Sequence, residues 1–241
     1  MKAMILAAGT GTRLGPLTDK TPKALVPVNG IPMLEHVIVK IKAAGFTQLI
    51  VNIHHFGEQI IDFLASKDNF GMDIRISDER NNLLDTGGAI KQAREFLDGG
   101  EPFLVHNVDI FSAIDLRTMY NTHLHADALA TLFVSRRQSS RPLLFNHEDR
   151  LCGWRNYETG AMRLSDPAFD PSMYFEYAFG GIHVISPEIF KHMEDWTEKF
   201  SIINFYVSIC QKRPIRFYTE NNLQWIDAGT IKGLEAVNDH G

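Results

Sequence analysis

Ala3-Met4-Ile5-Leu6-Ala7-Ala8-Gly9-Thr10-Gly11-Thr12-Arg13 is the stretch on which the fold turns. Ala3 to Ala7 is apolar and too short for a helix, so it reads as a buried strand. Leu49-Ile50-Val51-Asn52-Ile53 and Phe103-Leu104-Val105 read the same way. Between them, Met33 to Ala44 carries Leu34, Val37, Ile38 and Ile41 at the spacing of one helix face, and Gly45 closes it. Phe56 to Leu64 and Gly88 to Leu97 repeat that pattern. Strand and helix in regular alternation imply βαβ crossovers and a mostly parallel sheet covered on both faces. Ligands on such sheets bind beyond the carboxyl ends of the strands.

The second half changes character. Ala128 to Val134 is strand-like, whereas Arg136 to Arg155 is polar and Arg-rich, with a hairpin expected around Asn146 to Arg150. Tyr174 to Ile185 alternates as a long strand broken at Gly180-Gly181. Ile202 to Gln211 reads as a helix, Ile215 to Tyr218 as a strand, and Thr230 to Val237 as a closing helix capped by Thr230. No linker or internal repeat divides the chain. The expectation is a single domain over 1–241: a three-layer α/β/α arrangement with a mixed, mainly parallel sheet and a small antiparallel β excursion.

A chain of 241 residues with 44% hydrophobic and 22% charged residues can bury a core without a disulfide or metal staple, and its composition excludes disorder, collagen and coiled coil. Lys and Arg total 24 against 29 Asp and Glu, a net charge of −5, which argues against a nucleic-acid or membrane-surface binder. A small anionic substrate in a local positive pocket fits that balance. Cys152 and Cys210 lie far apart and read as reduced thiols. Met1-Lys2 is followed by only six apolar residues before Gly9, so no signal peptide is expected, and no apolar run is long enough to span a bilayer. The expected location is cytoplasmic; the oligomeric state has no signature in the sequence.

The chemistry is concentrated after the first strand. Glycines at 9 and 11 permit close approaches that side chains would block, and successive amides in such a loop form a concave anion site. Arg13 adds a forked cation suited to phosphate oxygens, and Lys23, after Pro22, adds a point charge. Two better-known phosphate loops do not fit. A dinucleotide fingerprint needs glycine where Leu14 stands, and the Gly-Lys of a P-loop occurs nowhere in the chain.

Gly9-Thr10-Gly11-Thr12-Arg13-Leu14-Gly15-Pro16-Leu17-Thr18, followed by Pro22-Lys23-Ala24-Leu25-Val26-Pro27-Val28, resembles the N-terminal signature of the sugar-1-phosphate nucleotidyltransferases. The likeness continues through Thr86-Gly87-Gly88, Asp109 and Trp225-Ile226-Asp227-Ala228-Gly229-Thr230, and so covers essentially the whole chain. The resemblance implies a Rossmann-like fold with a nucleotide-binding half over 1–127 and a sugar-binding, closing half over 128–241. It implies attack of a sugar 1-phosphate on the α-phosphorus of a nucleoside triphosphate (UTP or GTP), with release of pyrophosphate. The attacking oxygen is already ionised, so cations and positioning dominate such catalysis. By similarity, Arg13 and Lys23 are the catalytic cations. Ala8, Gly9, Gly11, Thr12, Arg13, Glu79 and Thr86 would bind the nucleotide, and Gly87, Glu176, Gly180 and Gly181 the sugar. Asp109 and Asp227 would hold Mg2+. Val108 departs from the family, which commonly has glycine before that aspartate.

Glu79 accepts only, so it suits either uracil N3 or guanine N1 and N2, and a solvated loop carboxylate is an equal reading. The brevity of the pattern is most similar to the branch of the family that joins UTP to N-acetylmuramate 1-phosphate, a cell-wall sugar. Guanylyl transfer to mannose or heptose 1-phosphate, and a non-catalytic sugar-nucleotide binder, are the alternatives. Arg136, Arg137, Arg141, Arg150, Arg155 and Arg163 crowd the excursion. They read as a solvated basic face, or, more sharply, as the source of one arginine (Arg141) pairing with a sugar carboxylate. His54, His55, His123 and His125 lack zinc-pair spacing and read as surface or core groups.

Overall fold

The computed structural model describes residues 1–166, 170, 173–220 and 223–239. The first half forms β1 (Lys2–Leu6), a short pair β2 (Pro27–Val28) and β3 (Ile31–Pro32), α1 (Met33–Ala43), β4 (Gln48–Ile53), α2 (Gly57–Ser66), β5 (Asp73–Asp78), α3 (Asp85–Gln92), α4 (Arg94–Leu97), β6 (Phe103–Asn107), β7 (Ile110–Ser112) and α5 (Leu116–Leu124). The second half adds β8 (Ala130–Ser135), β9 (Leu143–Phe145), β10 (Leu151–Arg155), β11 (Met162–Leu164), β12 (Phe175–Ile185), α6 (Ile189–His192), α7 (Ile202–Ile209), β13 (Ile215–Tyr218), β14 (Trp225–Asp227) and α8 (Ile231–Asp239).

Side-chain alternation along the central strands builds the layers. Ala3, Ile5, Leu49, Val51 and Leu104 pack on one face with α1, α2, α5 and α8. Met4, Ile50, Phe103 and Val105 pack on the other with α3, α4, α6 and α7. A strand buried on both faces has no polar positions to alternate, which is why these runs read as continuous apolar stretches. The main sheet runs β11-β10-β9-β12-β6-β1-β4-β5, with β8 also on β12 and β13 beside β8. β1, β4, β5 and β6 are parallel, while β12 enters antiparallel to β6. The sheet is therefore mixed and mainly parallel in the half formed by β1, β4, β5 and β6, and β9, β10 and β11 form the antiparallel excursion.

Three elements differ in detail from their sequence pattern. The segment expected as one helix over Gly88 to Leu97 starts earlier, at Asp85, and turns at Ala93, which leaves Ala93 and Leu97 both in the core. The glycines at 180 and 181 do not break β12; the strand runs through them, and its register against β8 shifts between Phe179 and His183. Gly181, at φ +72°, takes up that shift in the left-handed region. The helix expected to reach Gln211 ends at Ile209. The closing helix follows Thr230 as expected, with the Thr230 hydroxyl accepting from the Gly233 amide at 3.1 Å. No helix among the described residues is long and apolar enough to cross a membrane.

Candidate active site

Parallel register lines up the carboxyl ends of three strands. Leu6 of β1 pairs with Asn52 of β4 on one side and Asn107 of β6 on the other. Beyond that line lies a cavity of about 450 Å³ lined by Ala8, Gly9, Arg13, Lys23, Glu79 and Asp109, together with Thr86, Val108 and Lys199. The cavity sits where an open α/β sheet places its ligands.

The loop after β1 is held from both ends. Asn52 accepts from the Ala7 and Ala8 amides through Oδ1, at 2.6 and 3.2 Å. The Thr18 hydroxyl donates to the carbonyls of Gly11 and Gly15 at 3.1 and 3.0 Å. Gly11 is required twice: its φ is +71°, and a Cβ there would lie 2.7 Å from Thr18 Cγ2. Among the described residues, the amides of Gly9, Thr10 and Gly11 meet no protein acceptor. They form a concave row of donors of the kind that binds anions.

Four charged groups meet beside this loop. β14 pairs with β7, setting Asp227 opposite Ile110 and hence next to Asp109. Lys23 Nζ bonds Asp109 Oδ2. Arg13 spans the two acids, 3.7 Å from Asp109 and 3.3 Å from Asp227. Gly229 lies at their meeting point: a Cβ there would stand 2.3 Å from Asp109 Oδ2 and 2.8 Å from Arg13 Nη2. Burial alone would raise the Asp227 pKa. The Gly229 amide bond and the charges of Arg13 and Lys23 outweigh it and hold the carboxyl below its usual range. The arrangement is one cluster of two cations and two carboxylates, drawn from residues as much as 214 positions apart.

Glu79 is not a solvated loop carboxylate. It is 2% exposed and accepts from Asn52 Nδ2 at 2.7 Å and from the Leu84 amide at 3.2 Å. Burial raises its pKa, partly offset by those two bonds. Val108 forms part of the cavity wall with its side chain buried.

The profile of the nucleotidyl transferase family matches residues 2–143. The chain belongs to that family. Among nucleotidyl transferases of known name, it is 45% identical over 122 residues to N-acetylmuramate α-1-phosphate uridylyltransferase of Neisseria meningitidis, covering 51% of this chain and 52% of the relative. It is 34% identical over 195 residues to the N-acetylmuramate α-1-phosphate uridylyltransferase of Caulobacter vibrioides, covering 78% of this chain and 76% of the relative. The matched region thus spans about half the length of the first relative. The UDP-glucose pyrophosphorylase from Acinetobacter baumanii shares the fold at TM-score 0.80, with 19% identity over 99% of this chain and 92% of its own.

The fold thus brings Gly9, Arg13, Lys23, Glu79, Thr86 and Asp109 to one cavity, with Asp227 joined to it through Arg13. Ala8 lines the cavity too, but its amide is spent on Asn52. Thr12 opens the exposed turn that carries Arg13. The Gly87 amide donates to the Phe200 carbonyl at 2.9 Å, so the glycine pair at 87–88 docks the 198–200 segment. That docking carries Lys199 into the cavity wall. Gly181 lies against Asn107, and the Gly180 carbonyl accepts from Trp225 Nε1 at 2.9 Å. Glu176 lies apart from the main cavity, bonded to the Tyr157 hydroxyl at 2.8 Å and to Arg155 at 3.3 Å. Arg141 reaches Glu158, 3.9 Å away. His123 is a core group held by Thr131 and Ser186.

Sequence reasoning missed Asn52 and Lys199. A lone amide in the apolar run of β4 was a usable signal for Asn52. Lys199 had none, since only the docking of two distant segments brings it to the site.

Proposed function

We propose that this chain transfers a nucleotidyl group from a nucleoside triphosphate to a sugar 1-phosphate and releases pyrophosphate, with UTP and N-acetylmuramate 1-phosphate as the reacting pair. The observation that carries the reading is the cluster of Arg13, Lys23, Asp109 and Asp227, three of which line the same cavity as Gly9 of the loop after β1. The choice of sugar and base follows the names of the two relatives.

The sugar phosphate oxygen forms a bond to the α-phosphorus as the bond from that phosphorus to the β-bridging oxygen breaks, and the electron pair leaves with pyrophosphate. No proton needs to be removed from the nucleophile. The barrier is the approach of two polyanions, which Arg13, Lys23 and Lys199 lower by supplying fixed positive charge where negative charge accumulates. Glu79, fixed by Asn52 and Leu84, would present acceptor oxygens to a base N–H from the wall of the same cavity.

Asp109 and Asp227 would hold a magnesium ion as two hard carboxylate ligands, both within reach of Arg13, with phosphate oxygens and water left to complete the shell. When bound, the ion would neutralise phosphate charge and polarise the reacting phosphoryl group. Pyrophosphate release measured with UTP and GTP against N-acetylmuramate, mannose and glucose 1-phosphates tests the reading. Release is expected with UTP and N-acetylmuramate 1-phosphate. Silence with every pair would overturn nucleotidyl transfer, and release confined to GTP would overturn the choice of base.

A further inference from the structure

A second cavity, of about 550 Å³, opens between the end of β8 and the N-terminal half of β12, with Arg136, Arg137, Ser139, Tyr157 and Glu176 in its wall. The one acid in that wall is already engaged: Glu176 accepts from Tyr157 and Arg155. Neither Arg136 nor Arg137 makes a salt bridge or a side-chain hydrogen bond among the described residues, although Asp227 acts on Arg137 electrostatically. The cavity therefore presents unpaired guanidinium groups beside a neutralised carboxylate, a setting that favours an anion.

Arg137 differs from its neighbour in being fixed. Its guanidinium carbon lies 3.9 Å from the centroid of the Trp225 ring, a close cation–π stack. Trp225 is itself anchored, donating from Nε1 to the Gly180 carbonyl. Residues two apart on a strand share a face, so the indole of Trp225 and the carboxylate of Asp227 lie on the same side of β14. Burial against the ring lowers the Arg137 pKa, and the negative charge of Asp227 opposes that shift, which places the two groups within electrostatic reach. A stacked guanidinium keeps its edge N–H groups in one plane, ready to fork onto a carboxylate.

We propose that Arg137, stacked on Trp225 beside the catalytic acids, reads a carboxylate carried by the sugar of the sugar 1-phosphate. The assignment rests on the transfer reading above and deepens it: Arg137 takes the role that the sequence suggested for Arg141, whose guanidinium faces Glu158 instead. The anionic phosphate is held at Arg13 and Lys23, and the second charge of the same substrate at Arg137, so the two ends of the ligand are discriminated by separate cations. A sugar lacking the acid leaves Arg137 unpaired and gains nothing from it.

The test compares N-acetylmuramate 1-phosphate with N-acetylglucosamine 1-phosphate, which differ by the lactyl ether that bears the acid. The readout is the ratio of their kcat/KM values on one enzyme preparation, so a partial folding defect cancels. Arg137→Met should lower that ratio about tenfold to a hundredfold, the worth of one charge-assisted pair. Arg137→Lys, which keeps charge without the fork, should fall between. An unchanged ratio in Arg137→Met overturns the assignment while leaving the transfer reading intact. A parent enzyme that turns over neither sugar phosphate defeats the choice of N-acetylmuramate 1-phosphate as the substrate, and the assignment with it.

Discussion

Three hydrogen bonds radiate from the Asn52 side chain: two accepted from Ala7 and Ala8, one donated to Glu79. They tie the loop after β1 to Glu79 across the cavity, and Asn52 is 3% exposed, so water cannot replace them. Asn52→Ala should cost about 2–4 kcal/mol, read as a lower urea midpoint, because it orphans two amides and a buried carboxylate oxygen. It should also raise KM for the triphosphate more than for the sugar phosphate. Lys23→Ala acts on the chemistry instead: removing the ammonium beside Asp109 should lower kcat by about 10²–10³ in steady-state assays. Arg13 and Lys23 were legible in the sequence because they follow one glycine-rich loop, whereas Asp109, 86 residues beyond Lys23, was reached only through the family resemblance. The burial of Glu79 was not legible, because it depends on β4 and β5 lying side by side.

At the scale of elements, β1, β4, β6 and α1 follow directly from apolar spacing, since each buries a whole strand or one helix stripe. α3 follows a different logic. Its first turn is pinned by the 198–200 segment: Gly87 and Gly88 donate to Phe200, and Thr86 Oγ1 accepts from the Ile202 amide at 3.0 Å. A Cβ at Gly88 would fall 2.0 Å from the Glu198 carbonyl oxygen, a backbone atom that cannot step aside. Gly88→Ala should therefore destabilise the fold by about 1–3 kcal/mol and displace Lys199 from the cavity. A lower thermal midpoint together with a raised KM for the anionic substrates would show both effects. Local patterns cannot reveal such a junction, because the two partners lie over a hundred residues apart. The register shift in β12 was hidden for the same reason: it is set by β8, not by the glycines alone.

For the molecule as a whole, three buried histidines set the response to acid. Burial lowers the pKa of His106 and His183 to about 3 and that of His123 to about 4, against an ordinary 6.5. The unfolded chain takes up protons below about 6.5 while the folded chain does not. Stability is therefore complete above that pH and drains away as pH falls toward 3–4, by about 1.4 kcal/mol per pH unit for each group. Urea unfolding at pH 7 and pH 5 should show the midpoint dropping, and His123→Gln should flatten the slope. The order of the main sheet has a further consequence. Two margins of the main path are blunted, β11 by being only three residues long and β5 by turning Asp73, Arg75 and Asp78 outward, while the branch ends at the four-residue β13. None of these rims offers a stray chain a long neutral ladder of free backbone groups, so crowded solution should not seed fibrils from these borders.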